Sequence, residues 1–260
     1  MKDGIMTRRN WTKKELIVTF NLYLKLPFGK FHQGNPEVKR LAKLIGRTPS
    51  SVAMRLSNFA SLDPYHQQRG IVGLKGGYNQ CQPIWDEFNE NREEFIFQSE
   101  KILAEKENQT LEKKYDKELE TDHLEGEDKT RKIKTRVNQN VFREIVLNNY
   151  TTKCAISGID IPELLNASHI IPWSQNKKER LNPSNGICLS KLYDAAFDKG
   201  YIGIKPDYSL IISRKLRIKE EESYYNRFFL HLKDGKINLP EKYYPKKEFL
   251  EYHLDVVFKG

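Results

Sequence analysis

Residues 165–200 read LNASHIIPWSQNKKERLNPSNGICLSKLYDAAFDKG, and this stretch predicts a strand, a returning strand and a short helix. Leu164 to Ile171 is an apolar strand that ends at His169, and Gly186 to Ser190 is the strand that comes back. Between them lies a loop with Pro172-Trp173-Ser174 and a basic patch, Lys177, Lys178 and Arg180. Lys191 to Asp198 then reads as a helix closed by Gly200. The order supplies a general base in His169, a turn-forming amide at Asn185-Gly186, and two carboxylates, Asp194 and Asp198, on one helical face. Two like charges four residues apart repel, and a hard divalent cation relieves the repulsion; Asp oxygens suit Mg2+ or Mn2+. These are the parts needed to hydrolyse a phosphodiester with one divalent metal. On the residues alone, plainer readings stay open: His169 as a core histidine, Asn185-Gly186 as only a turn, and the Asp pair as a solvated helix face.

The same residues resemble the HNH (His-Me finger, ββα-metal) endonuclease family. The likeness is closest to its restriction-endonuclease-like branch, through Ser-His-Ile-Ile-Pro-Trp-Ser (168–174), Asn-Gly-Ile-Cys-Leu (185–189) and Ala-Phe-Asp-Lys-Gly (196–200), and covers roughly residues 137–204. The resemblance implies His169 as the general base and Asn185 as the residue that steadies the loop beside it or joins the metal. It also implies Asp194 and Asp198 as metal-site residues. Two departures stand out. Ser168 occupies the place where many members carry an Asp or His ligand, and the third motif position is a carboxylate, with Tyr193 beside it. The carboxylate favours Mg2+ or Mn2+ over zinc or nickel. The family's optional structural zinc is not expected, because Cys154 and Cys188 lack second partners.

Upstream, three helices are predicted. Thr12 and Glu15 form a capping box ahead of Leu16, Phe20, Tyr23 and Leu24 at helical spacing, and Pro27 with Gly29 stops that helix. Asn35-Pro36 opens a second helix with an apolar stripe of Val38, Leu41, Ala42 and Ile45, closed by Gly46. Thr48-Pro49 starts a third, with Val52, Leu56 and Phe59 inward and Ser50, Ser51, Arg55 and Asn58 outward. Two short helices joined by a tight Gly-containing turn make a helix-turn-helix-like, DNA-binding candidate, with Arg47, Ser50, Ser51, Arg55 and Asn58 as DNA-contacting residues. Residues 10–62 also bear a similarity to helix-turn-helix segments of Myb-like and resolvase-like domains, through Trp11 and Gly46-Arg47-Thr48-Pro49. Residues 63–82 are rich in Gly, Gln and Pro and read as loop, with Gly73-Leu-Lys-Gly-Gly77 a candidate phosphate contact. A helix is expected from Ile84-Trp85 toward residue 120.

Lys and Glu dominate 100–128, which predicts a solvated helical connector fraying near 121–129, then a basic run over 129–136. Val141 to Leu147 reads as a short amphipathic helix, Cys154 to Gly158 as a strand and turn, and 201–204 and 208–212 as two strands. The aromatic tail from 217 is expected to pack on the second domain.

The expected class is α+β: a helical domain (1–85), a charged connector (86–130) and a ββα-metal nuclease domain with a C-terminal extension (131–260). Lys and Arg number 44 against 35 Asp and Glu, and a net charge of +9 favours a polyanionic partner, here double-stranded DNA. No apolar run approaches a membrane span, no signal-peptide core is evident, and three scattered cysteines fit a reducing cytoplasm. The connector is a candidate dimerisation element. The expected function is a metal-dependent DNA endonuclease, a restriction enzyme with modified DNA as a candidate substrate. Its rivals are a nicking or homing-type nuclease of a mobile element and a DNA-binding regulator whose HNH fold has lost activity.

Overall fold

The computed structural model describes residues 9–70, 75–115 and 126–260, and the chain divides into two compact units, 1–141 and 142–260. The class is α+β, with two small antiparallel sheets. No helix among the described residues is long and apolar enough to cross a membrane.

The first unit begins with α1 (Lys13–Lys25), which starts on the expected capping box: Thr12 accepts from the Glu15 amide and Glu15 returns the bond. Then come α2 (Pro36–Ile45) and α3 (Pro49–Ala60), capped by Asn35 and Thr48. Gly46 between them has φ +65°, a left-handed conformation that costs a residue with a Cβ. Phe20 is the hub of the core, edge-on to Phe59, Phe88 and Phe95.

Two expectations fail in this unit. Residues 63–82 are not simply a loop: α4 (Pro64–Gln68) and α5 (Lys75–Glu90) occupy much of it, and α5 runs through Pro83. Buried Cys81, Ile84 and Phe88 recur at helical spacing on α5, and burying them outweighs the local cost of Gly and Pro. The candidate phosphate contact at 73–77 lies outside the described residues, apart from the backbone from Lys75 and the buried Gly77.

Nor is the stretch from 92 a solvated connector. α6 (Arg92–Lys106) buries Phe95, Ile96, Ile102 and Leu103 and packs along α1. Its Glu100 is fully buried because Lys25 (2.7 Å), Lys114 (3.0 Å) and the Tyr115 hydroxyl (2.8 Å) surround it, the last two from α7 (Leu111–Tyr115) and its end. Burial opposes its charge, but the two lysines hold its pKa at about 2. A high charge count therefore hid a buried, neutralised network. Residues 116–125 lie outside the description, and from 126 the chain is helical: α8 (Gly126–Asn149) absorbs both the basic run and the short helix expected over 141–147.

In the second unit β1 (Leu165–His169) pairs antiparallel with β2 (Gly186–Ser190), and α9 (Lys191–Asp198) follows directly; all three agree with the sequence reading to within a residue. β3 (Ile202–Ile204) and β4 (Leu210–Ile212) pair as the second hairpin. Residues 154–158 are a turn rather than a strand, tied to the sheet by the Ala155 amide on the Cys188 carbonyl. α10 (Arg214–Arg217), α11 (Ser223–Phe228) and α12 (Lys247–Val256) make up the tail. α12 packs on β3, and its buried His253 stacks on Phe197 of α9 with centroids 3.7 Å apart. That contact ties the tail to the helix that carries both carboxylates.

Candidate active site

The register of β1 decides what each side chain faces. Asn166 and Ser168 point to one face and His169 to the other, since strand side chains alternate. On the first face lies α9. The Asn166 amide donates to Asp194 Oδ2 at 2.6 Å, and Ser168 lies close enough to Asp198 to favour its ionised form. So α9 runs alongside β1 in the same direction, and Asp198 sits beside the His169 end of the strand.

On the opposite face His169 stacks almost parallel on Phe142 of α8, with centroids 4.0 Å apart and planes 14° apart. Gly186 is its cross-strand partner. A Cβ there would lie 2.8 Å from Phe142 Cζ and closer still to Val146, so glycine serves close packing. Its φ of −125° is extended, and its amide closes the turn over Pro183–Asn185 on the Pro183 carbonyl, so the expected turn is there without a left-handed glycine.

His169 Nε2 lies 2.9 Å from the Arg180 carbonyl. A carbonyl only accepts, so Nε2 carries the hydrogen and Nδ1 is the basic atom. Burial holds the imidazole below its ordinary 6.5; the bond to the Arg180 carbonyl opposes this, the Arg180 charge adds to it, and the Asp194 charge raises it. His169 is therefore neutral at pH 7.

Asn185 is buried and its amide is spent on the loop. Oδ1 accepts from the Ile171 amide at 2.8 Å, while Nδ2 donates to the carbonyls of Ile171 and Glu179. Its own carbonyl accepts from Ile170. The side chain thus staples both ends of the β1–β2 loop beside His169.

Asp198 keeps solvent access as a residue, yet crowding around its carboxyl and the Asp194 charge push its pKa up to about 6, against the pull of Lys199 and Ser168. Ser168 is buried, and its hydroxyl faces the Asp198 carboxylate. No cluster of three or more His, Cys, Asp or Glu is present among the described residues. Two carboxylates in mutual repulsion, with the Ser168 hydroxyl beside them, nevertheless fit a hard cation whose coordination is completed by water and phosphate oxygens. The C-terminal end of α9 adds its negative dipole there.

Of the basic patch, Lys177 and Lys178 are exposed, while Arg180 lies over Trp173 at 5.0 Å and donates from Nε to the Trp173 carbonyl. Asn166 and Phe142 were missed in the sequence. Two polar residues at i and i+2 on an otherwise apolar strand were the readable sign for Asn166.

Residues 154–205 match the model of an HNH endonuclease family. The second unit thus carries an HNH domain, and His169, Asn185, Asp194 and Asp198 all fall inside the match. No curated protein matches the chain.

The helix-turn-helix candidate fares differently. Ser50 is exposed and Ser51 partly so, but Arg55 and Asn58 are buried, not outward, because α5 packs over α3. Arg55 donates to the Gly77 carbonyl and to Gln80, and its guanidinium sits over Trp11 at 4.8 Å. Arg47 is likewise engaged: its guanidinium bonds both Glu15 oxygens and the Arg9 and Asn10 carbonyls. The outer face of α3 is Ser50, Met54 and Ser57.

Proposed function

We propose that this protein is a metal-dependent DNA endonuclease acting on double-stranded DNA in the cytoplasm. The single observation that carries the reading is a neutral, carbonyl-oriented His169 at the end of β1 that Asp198 adjoins, with Asp194 one turn back on α9 and its charge felt by the imidazole. Water attacks phosphorus as His169 Nδ1 takes its proton, while Nε2–H stays on the Arg180 carbonyl and keeps the ring in place. The P–O3′ bond breaks, and the departing 3′ oxygen takes a proton from solvent water to give a 3′-hydroxyl beside a 5′-phosphate. Asp194 and Asp198 would hold Mg2+ or Mn2+, whose charge offsets that of the phosphate. Asn166 fixes the Asp194 carboxylate, and Asn185 holds the loop that supplies the Arg180 carbonyl.

A restriction role, with modified DNA as a candidate substrate, is an analogy at the family level. One site cuts one strand, so a double-strand break requires a homodimer or two successive nicks. DNA binding by the helical unit rests on the basic net charge and on Ser50 and Ser51, not on Arg47, Arg55 or Asn58. Lys177 and Lys178 are exposed cations of the loop that follows His169 and are assigned to phosphate contact.

One observation favours a second reading, an inactive DNA-binding regulator: Ser168 stands where a carboxylate would complete the cation site. Cleavage of supercoiled plasmid with Mg2+ or Mn2+, using unmodified and base-modified DNA, decides between them. Cutting by the wild type and not by His169→Ala supports the nuclease; DNA binding without cutting supports the regulator.

A further inference from the structure

The tail brings a second set of cations to the Asp198 end of the site. The amide of Ser213, the cap of α10, donates at 2.9 Å to the carbonyl of Tyr201, which lies three residues beyond Asp198. The Lys259 amide donates to the Gly200 carbonyl at 2.9 Å, and its ammonium lies over the Tyr201 ring at 5.1 Å. Arg214, Lys215, Arg217 and Lys259 are all exposed. Among the described residues none of the four has a carboxylate partner within ion-pair distance, whereas the first unit's Lys25, Arg47 and Lys114 are all ion-paired. Those two backbone bonds fix α10 and Lys259 to the chain two and three residues past Asp198, and like charges gathered there without carboxylate partners repel one another. A polyanion lying across the site relieves the repulsion.

We propose that Arg214, Lys215, Arg217 and Lys259 form a phosphate-binding rim that holds the DNA backbone on the Asp198 side of the active site. Lys177 and Lys178 stand on the other side, in the loop tied to His169, so the two sets bracket the scissile phosphate along the strand. The proposal rests on the nuclease reading. It gives the tail a role beyond closing the fold, because α10 and Lys259 place charge where the substrate strand leaves the site.

The test uses full-length His169→Ala protein, which should bind without cutting, and a duplex DNA titrated by fluorescence anisotropy over a range of NaCl. Adding Arg214→Ala, Lys215→Ala, Arg217→Ala and Lys259→Ala should weaken binding at least tenfold near about 150 mM salt. It should also make the slope of log K against log [NaCl] shallower by about 2 to 4, since each lost phosphate contact is worth roughly 0.9. Lys233→Ala with Lys247→Ala, which removes exposed cations elsewhere in the unit, should change neither. Unchanged affinity and slope in the fourfold variant, or an equal loss in the control, overturns the rim while leaving the nuclease reading intact. Failure of the parent to bind DNA overturns both. If the fourfold variant melts early, Lys215→Glu alone is read instead. Lys215 is exposed, and reversing its charge should still weaken binding and flatten the slope; no effect overturns the rim.

Discussion

The His169 imidazole is held between an aromatic plane and a carbonyl: Phe142 stacks on one face at 4.0 Å and the Arg180 carbonyl takes the Nε2 hydrogen at 2.9 Å. Ring plane and tautomer are both set before substrate arrives, so the proton acceptor is Nδ1. His169→Ala should abolish cleavage, a loss of at least about 100-fold, while duplex affinity stays within about twofold. The wild-type rate should fall as pH drops through a value below 6.5, because burial lowers the imidazole's pKa and only the neutral ring accepts a proton. Plasmid nicking across pH with an anisotropy measurement alongside checks both; near-wild-type cutting by His169→Ala would remove His169 from the role of base.

The support under that ring is equally testable. Gly186→Ala puts a methyl into Phe142 and Val146, and overpacking of this kind costs about 1–3 kcal/mol. The displaced ring is the one His169 leans on, so kcat should fall further than stability alone explains, with KM for DNA little changed. Melting together with steady-state nicking separates the two effects. A normal kcat in a destabilised protein would show that the stack does not position the base.

Burial first and the Asp194 charge second raise the pKa of Asp198 to about 6, so its ionised form is held at a cost in the free protein. Asp198→Asn should therefore raise the melting temperature in chelator yet abolish the rise that Mg2+ or Mn2+ gives the wild type, because the cation and the amide offset the same cost. Asp194→Ala should lose the metal-induced rise and the cleavage together. An unchanged Mn2+ titration by calorimetry in either variant would take that residue out of the site.

How much of this could be read from residues alone depends on what decided each feature. β1, β2 and α9 were legible almost to the residue, because His169, Asn185-Gly186 and Gly200 punctuate an apolar pattern with local signals. The outward face of α3 was not: periodicity shows that Arg55 and Asn58 lie off the Val52–Leu56–Phe59 stripe, but only the fold shows that α5 covers them. α6 looked solvated for the same reason in reverse, since the cations that neutralise Glu100 come from α1 and from the segment ending α7, up to 75 residues away in sequence. The bond from Asn166 to Asp194 joins strand to helix across 28 residues, and neither residue alone announces it.

The tail is joined to the active-site helix through a histidine that ought to make the fold acid-sensitive. His253 is buried, stacks on Phe197, and its Nε2 donates to the Phe197 carbonyl in the last turn of α9. Burial brings its pKa down to about 4, the hydrogen bond opposing that only in part. In the unfolded chain the group titrates near 6.5, so between those values the unfolded state binds the extra proton and stability rises with pH. His253 should thus cost nothing above about pH 7 and remove up to roughly 3 kcal/mol as pH falls toward 4. His253→Gln keeps a donor for the Phe197 carbonyl but cannot titrate. It should be less stable than wild type at pH 8 through lost stacking, yet lose less stability between pH 7 and 4.5. Urea denaturation at several pH values measures this directly, and parallel pH profiles for the two proteins would mean that His253 is not the group that titrates.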